Sequence, residues 1–91
     1  MFNKLKQFKE LRDQAKKIQN VLGQESVTVE KSGIKIVMSG NLEVKSITLN
    51  NDLAVSSQEG ILADAINDAI KKAQKIMAQK MQEMGGIPGL N

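Results

Sequence analysis

Three short runs of alternating apolar residues follow one another in the segment Val27–Leu53, VTVEKSGIKIVMSGNLEVKSITLNNDL. Such alternation is typical of β-strands with one buried face. Ser32-Gly33 and Gly40-Asn41 separate the runs and have the composition of tight turns. The segment therefore predicts a three-stranded antiparallel meander, with strands at about 26–31, 34–39 and 43–50.

The third run changes its alternation phase halfway along. Leu42 and Val44 share one phase, whereas Ile47 and Leu49 share the other. A β-bulge near Lys45-Ser46 would bring both pairs to the same face of the sheet, because a bulge adds one residue to one strand. The alternative is that the strand begins only after Val44.

Helical periodicity replaces the alternation on the N-terminal side of the meander. The apolar residues recur at intervals of three and four and form one stripe: Leu5, Phe8, Leu11, Ala15, Ile18 and Leu22. Gly23 follows this stripe and fits the residue that ends a helix. We predict a helix at about 2–22.

A second helical pattern follows the meander and predicts a helix at about 58–84. Ser56 or Ser57 is the expected N-cap, and the Gly85-Gly86 pair followed by Pro88 is the expected end. Its apolar stripe comprises Leu62, Ile66, Ala69, Ile70, Ala73, Met77 and Met84. Asp68 is expected to pair within the helix with Lys71 or Lys72. Residues 85–91 are expected to form a flexible or loosely docked tail.

These elements make one α+β domain, residues 1–91, with the order α-β-β-β-α. The 91 residues include no His, Cys, Trp or Tyr. A catalytic triad, a thiol nucleophile and a cysteine-ligated metal site are thereby excluded within this chain. We predict that the protein is not an enzyme and has no cofactor, no metal and no small-molecule substrate.

No apolar run is as long as a membrane span, and the charged N-terminal segment lacks the apolar stretch of a secretory signal. We therefore expect a cytoplasmic protein. An amphipathic targeting helix is the alternative for this segment.

Positive charge is concentrated in the first helix. The net charge is +3 for the chain and +4 for residues 1–22 alone. Such an asymmetry is typical of proteins that bind a polyanion, although a solvated helix face has a similar composition.

The two predicted helices are longer than the strands of the predicted sheet. An α-helix of 20 residues spans roughly 30 Å, whereas a six-residue strand spans ~20 Å. Apolar stripes that continue past the sheet need a partner, and domains of this size bury little surface. We predict a homodimer; frayed, exposed helix ends are the alternative.

Three patterns in this order resemble the YbaB/EbfC family of nucleoid-associated DNA-binding proteins. They are the meander segment Val27–Leu53, the helical stretch AINDAIKKAQ (Ala65–Gln74) and the ending GGIPGL (Gly85–Leu90). The resemblance covers almost the whole chain. It implies a dimer with projecting helices that binds duplex DNA at the bacterial nucleoid, with no enzymatic activity.

The residues expected to contact DNA are basic and lie on the two predicted helices. The first rank is Lys6, Lys9, Arg12, Lys16 and Lys17, and the second rank is Lys71, Lys72 and Lys75. Their expected role is contact with phosphates, which carries little base specificity. One alternative is a protein-interaction module whose helical arms clamp a protein partner. The other is attachment of the first helix to a membrane surface.

Overall fold

A computed structural model describes residues 4–85 and contains two helices and three strands. The elements are α1 (Lys4–Gln24), β1 (Ser26–Lys31), β2 (Ile34–Ser39), β3 (Val44–Thr48) and α2 (Val55–Glu83). The predicted α+β fold with the order α-β-β-β-α is confirmed. The predicted tail lies outside the described residues, apart from Gly85.

The strands form an antiparallel sheet in the order β1-β2-β3. Val37 of β2 is opposite Ser46, and the next residue, Met38, is opposite Val44. Lys45 therefore has no opposite residue on β2, which is the arrangement of a β-bulge. The predicted bulge near Lys45-Ser46 is confirmed, and the strand includes Val44.

The C-terminal end of α1 and the N-terminal end of α2 differ from the prediction. Helix α1 continues to Gln24, so Gly23 lies inside it and does not terminate it. Helix α2 begins at Val55 rather than at about 58. Ala54 occupies its N-cap position with no side-chain cap bond. The serine cap prediction is wrong, because the extended backbone at Ala54 already sets the start of the helix.

The end of α2 agrees with the prediction more closely. The helix ends at Glu83, and Gly85 has a φ of 87°, a conformation that glycine adopts without strain. The backbone N–H groups of Met84 and Gly85 donate to the carbonyls of Lys80 and Gln82.

The core lies between α2 and one face of the sheet. Val29, Ile36 and Met38 of β1 and β2 pack there against three buried alanines of α2, which are Ala65, Ala69 and Ala73. The alanines are four residues apart and so form one ridge of the helix. Their small side chains bring the α2 backbone close to the strands.

Helix α1 contributes little to this core. Leu22 is buried, but of residues 5–17 all except Gln14 are exposed. The radius of gyration is 17.8 Å and the longest dimension is 65 Å. A compact chain of this length has a radius of gyration of about 12 Å. The outer part of α1 therefore projects from the body, and residues 5–17 are termed the arm.

Neither helix has, within residues 4–85, a segment long and apolar enough to cross a bilayer.

Candidate nucleic-acid interface

The arm carries five basic side chains, all of them exposed. None of them takes part in an ion pair among the residues the structure describes. They are the first-rank residues of the sequence prediction: Lys6, Lys9, Arg12, Lys16 and Lys17. The structure therefore places this whole set on one element that is open to solvent.

Three of these cations form a strip without intervening acids. At 100° per residue, Lys9, Arg12 and Lys16 lie within an arc of about 60° on the helix. From Lys9 to Lys16 the strip is about 10 Å long, which corresponds to roughly three base-pair steps of duplex DNA. The two acidic residues of the arm, Glu10 and Asp13, lie on the side of Lys6 and Lys17. We name Lys9, Arg12 and Lys16 the cationic strip.

The second-rank cations lie on another part of the molecule. Lys71, Lys72 and Lys75 are exposed on the portion of α2 that crosses the sheet. Lys72 Nζ donates a 3.4 Å hydrogen bond to the carbonyl oxygen of Thr28 in β1. Within one protomer the structure does not bring these lysines into the cationic strip of the arm.

Asp68 pairs across the fold and not along its own helix. Its carboxylate forms an ion pair with Lys31 of β1, so the predicted pairing with Lys71 or Lys72 is wrong. The hydrogen bond from Lys31 lowers the pKa of Asp68, and the charges of Lys71 and Lys72 lower this pKa further. The same hydrogen bond raises the pKa of Lys31. The sequence could not show this contact, because 37 residues separate the two groups.

Apolar side chains remain uncovered in two places. On the arm, Leu5 is 88% and Phe8 is 67% exposed. On the sheet, α2 packs on β1 and β2, while every residue of β3 is exposed. The second group is named the β3 apolar patch and consists of Leu42, Val44, Ile47 and Leu49. The helix stripes indicated uncovered apolar surface at the helix ends, but not on β3.

The basic side chains of the arm are of a kind that binds phosphates. Lysine and arginine side chains on an exposed helix attract phosphates and release counterions from a polyanion. Phe8 is the one aromatic residue in the described part of the chain, so stacking on unpaired bases has little support there. Among residues 4–85, no group of three or more acidic side chains is arranged to hold a metal ion.

Comparisons with known proteins agree with the family that the sequence resembles. A sequence profile of the YbaB/EbfC DNA-binding family matches residues 1–87. A nucleoid-associated protein of Thermoanaerobacter pseudethanolicus is 32% identical, over 97% of this chain and 87% of the relative. A nucleoid-associated protein of Acinetobacter baumannii is 34% identical, over 90% of this chain and 84% of the relative. The profile match spans nearly all of the chain, and the chain therefore belongs to the YbaB/EbfC DNA-binding family.

Proposed function

We propose that this protein is a nucleoid-associated protein of the bacterial cytoplasm that binds duplex DNA as a homodimer. The contacts are made mainly to phosphates and have little base specificity. The observation that carries the proposal is the cationic strip, whose three exposed side chains form no ion pair among residues 4–85 and lie on a helix that projects from the body. Family membership and the names of the relatives support the same function.

The strip fits the DNA backbone better than it fits the base edges. Its side chains are one arginine and two lysines, and Arg12 borders the apolar stripe of the same helix. Long cationic side chains neutralise phosphates without reading sequence. Base readout in the major groove needs a helix that presents several polar groups to base edges. The strip carries three cations and no amide or hydroxyl side chain, which supports nonspecific binding.

The uncovered apolar groups support the homodimer. Val44 and Ile47 are each 45% exposed although they lie opposite buried residues of β2, Met38 and Ile36. Directly opposite residues of antiparallel strands share a face, so the core face of the sheet continues onto β3 without cover. A contiguous apolar surface of this kind marks an interaction site. A second copy that covers it would double the net charge to about +6 and present two arms to one duplex.

Salt-titrated DNA binding tests the proposed function. We expect log K to fall linearly with the logarithm of salt concentration, with similar affinities for duplexes of unrelated sequence. Replacing the strip by glutamates (Lys9→Glu, Arg12→Glu, Lys16→Glu) should weaken binding to all of these duplexes alike. Binding that does not depend on salt, or no binding at low salt, would contradict the proposal.

The oligomeric state tests the dimer separately. Sedimentation velocity should give about twice the chain mass of 10.0 kDa. The Ile47→Lys variant should sediment as a monomer, because a lysine in the β3 apolar patch would place a charge in the interface. The matched variant Thr48→Lys changes the neighbouring exposed residue and should remain dimeric. A wild-type mass of one chain at all concentrations would refute the dimer.

The second candidate function is a module that clamps a protein partner. The observation in its favour is the apolar stripe of the arm, where Leu5 and Phe8 are exposed. This stripe has the spacing with which one helix packs against another. Under this alternative, the glutamate substitutions in the strip would leave the partner complex intact, whereas Phe8→Asp would abolish it.

A further inference from the structure

The arm is joined to the body by a small set of contacts at the inner end of α1. The side-chain amide of Asn41, in the loop between β2 and β3, donates a 2.9 Å hydrogen bond to the carbonyl oxygen of Gln19. The backbone N–H of Gly40 is 3.0 Å from the carbonyl oxygen of Leu22. These bonds connect the last turns of α1 to the same loop.

The loop approaches α1 so closely that it needs glycine at position 40. A Cβ atom on Gly40 would lie 2.7 Å from the carbonyl oxygen of Leu22. Atoms at that distance overlap, so the backbone would have to move apart. Helix α1 therefore rests directly on the loop backbone at Leu22. The side chain of Asn41 bonds to Gln19, about one helical turn closer to the N-terminus.

The loop itself is held by internal bonds. Ser39 is buried, and its hydroxyl oxygen accepts hydrogen bonds from the backbone N–H groups of Asn41 and Glu43 at 3.1 and 3.3 Å. The N–H of Ser39 donates to the carbonyl of Glu43 at 2.8 Å. The amide of Asn41 is thus presented to Gln19 from a fixed backbone.

A second connection secures the chain just after α1. Lys80 of α2 pairs with Glu25 at 3.0 Å, and this hydrogen bond raises the pKa of Lys80. The ion pair holds Glu25, the residue that follows the end of α1, whereas Asn41 holds Gln19, six residues earlier. Helix α1 also packs on α2, and the Asn41 bond is the outermost hydrogen bond from α1 to the body among residues 4–85. The orientation of the arm therefore depends on this bond together with the contacts nearer the body.

A small change of this direction is amplified along the arm. Lys9 is about 15 Å from Gln19 along the helix axis, and Lys16 is about 4.5 Å away. A tilt of about 15° at Gln19 would move the backbone at Lys9 by roughly 4 Å and at Lys16 by roughly 1 Å. A displacement of 4 Å exceeds the whole range of a hydrogen-bond distance, whereas a flexible lysine side chain absorbs 1 Å.

We propose that Asn41 is a positioning residue for DNA binding, because its bond to Gln19 sets the direction of the arm. The inference rests on the proposed function, since it concerns how the cationic strip meets the phosphates. Asn41 itself need not touch DNA. The effect of Asn41 on a phosphate contact should grow with the distance of that contact from Gln19. It should be strong at Lys9 and weak at Lys16.

A mutant cycle for DNA affinity measures this distance dependence. At 0.1 M salt, loss of one phosphate contact weakens binding about eightfold. In the wild-type background, Lys9→Gln and Lys16→Gln should each have about this effect for every arm that contacts the duplex. In the Asn41→Ala background, Lys9→Gln should have almost no further effect, whereas Lys16→Gln should keep its full effect. If the role of Asn41 is merely structural, Asn41→Ala should reduce the effects of Lys9→Gln and Lys16→Gln on DNA affinity equally. That result would overturn the proposal.

The matched control is Asn20→Ala. Asn20 is exposed on α1 next to Gln19, and its side chain makes no hydrogen bond within residues 4–85. This variant carries the same chemical change. In its background, Lys9→Gln and Lys16→Gln should weaken DNA binding as much as they do in the wild type. If Asn41→Ala loses helix content by circular dichroism, Asn41→Ser replaces it, because the shorter side chain does not reach Gln19.

The direction of the arm is also measurable without DNA. The chain has no cysteine, so cysteines introduced at the exposed positions Gln7 and Asn67 take spin labels at those sites alone. Labelled chains diluted with unlabelled protein should give one narrow distance distribution. Asn41→Ala should broaden or shift it by several ångströms, and Asn20→Ala should not.

The two measurements separate the outcomes. If the wild-type protein does not bind DNA, the proposed function fails, and the spin-label distances still test the role of Asn41 in directing the arm. If the distances are the same in Asn41→Ala and the wild type, the positioning role is refuted, whatever happens to affinity. A shifted distribution together with the selective loss of the Lys9 effect supports it.

Discussion

Neutralising two lysines of the cationic strip should reveal how many phosphates each arm contacts. The variant Lys9→Gln/Lys16→Gln removes two charges and keeps side chains that favour a helix. Its matched control is Lys35→Gln/Lys45→Gln, because Lys35 and Lys45 are exposed on the sheet and their loss changes the net charge equally.

The magnitude follows from counterion release. Each phosphate contact on duplex DNA contributes about 0.9 to the slope of log K against log salt concentration. Two lost contacts lower the slope by about 1.8 if one arm binds, and by about 3.6 if both arms of a dimer bind. At 0.1 M salt, the one-arm case corresponds to a roughly 60-fold loss of affinity.

The control should behave differently at the same net charge. Charges farther from DNA than about 10 Å are largely screened at 0.1 M salt. Lys35→Gln/Lys45→Gln should therefore keep the wild-type slope and lose less than about threefold in affinity.

Fluorescence anisotropy with a labelled duplex, at five or more salt concentrations, measures both slopes. Equal slope changes in the strip variant and in the control would refute the assignment of the strip. An unchanged slope in the strip variant, with folding verified by circular dichroism, would refute it as well.

Three further predictions concern the fold. Ile36→Ala should lower the free energy of unfolding by about 2–5 kcal/mol in urea titrations, because Ile36 is fully buried; a loss below ~1 kcal/mol would contradict the assigned core. Gly33→Ala should be destabilising by more than ~1 kcal/mol, since Gly33 has a φ of 82°, whereas Gly60→Ala should stabilise α2 by about 0.5–1 kcal/mol, since an added Cβ there meets nothing within 4 Å; thermal melts that give both changes the same sign would be inconsistent with this backbone. The pKa of Asp68 is lowered by its hydrogen bond with Lys31, so the pair stabilises the fold above about pH 4 and this contribution disappears as the pH falls through the lowered pKa. Asp68→Asn should therefore melt earlier than the wild type at pH 7 and at the same temperature near pH 2; a difference that persists in acid would show that the charge of Asp68 is not its cause.

The sequence predicted the parts of the structure that depend on local periodicity. The phase change between Val44 and Ile47 indicated the bulge, and the structure places the unpaired residue at Lys45. The cations of the arm were recognisable for the same reason. The sequence shows them clustered in one helical segment, and projection of the arm leaves them exposed.

Local patterns were a poorer guide where a neighbouring element competes with them. Ser56 and Ser57 are good N-cap residues, but the backbone turns into the helix at Ala54, before either serine. Asp68 has lysines three and four residues away, but Lys31 of β1 faces it across the fold and takes the ion pair. Propensity and spacing along one helix contain no information about such contacts.

The sequence by itself determined the element order, the α+β fold class and the basic first helix, because each depends on residues close together in the chain. Only the tertiary structure decided which of these surfaces are available for binding. Helix α2 covers β1 and β2 through its alanine ridge, and this packing leaves Val44 and Ile47 uncovered on β3. The direction of the arm likewise depends on a bond between Asn41 and Gln19, which are 22 residues apart. The side chains and their spacing are local properties, whereas coverage and direction arise from contacts between distant parts of the chain.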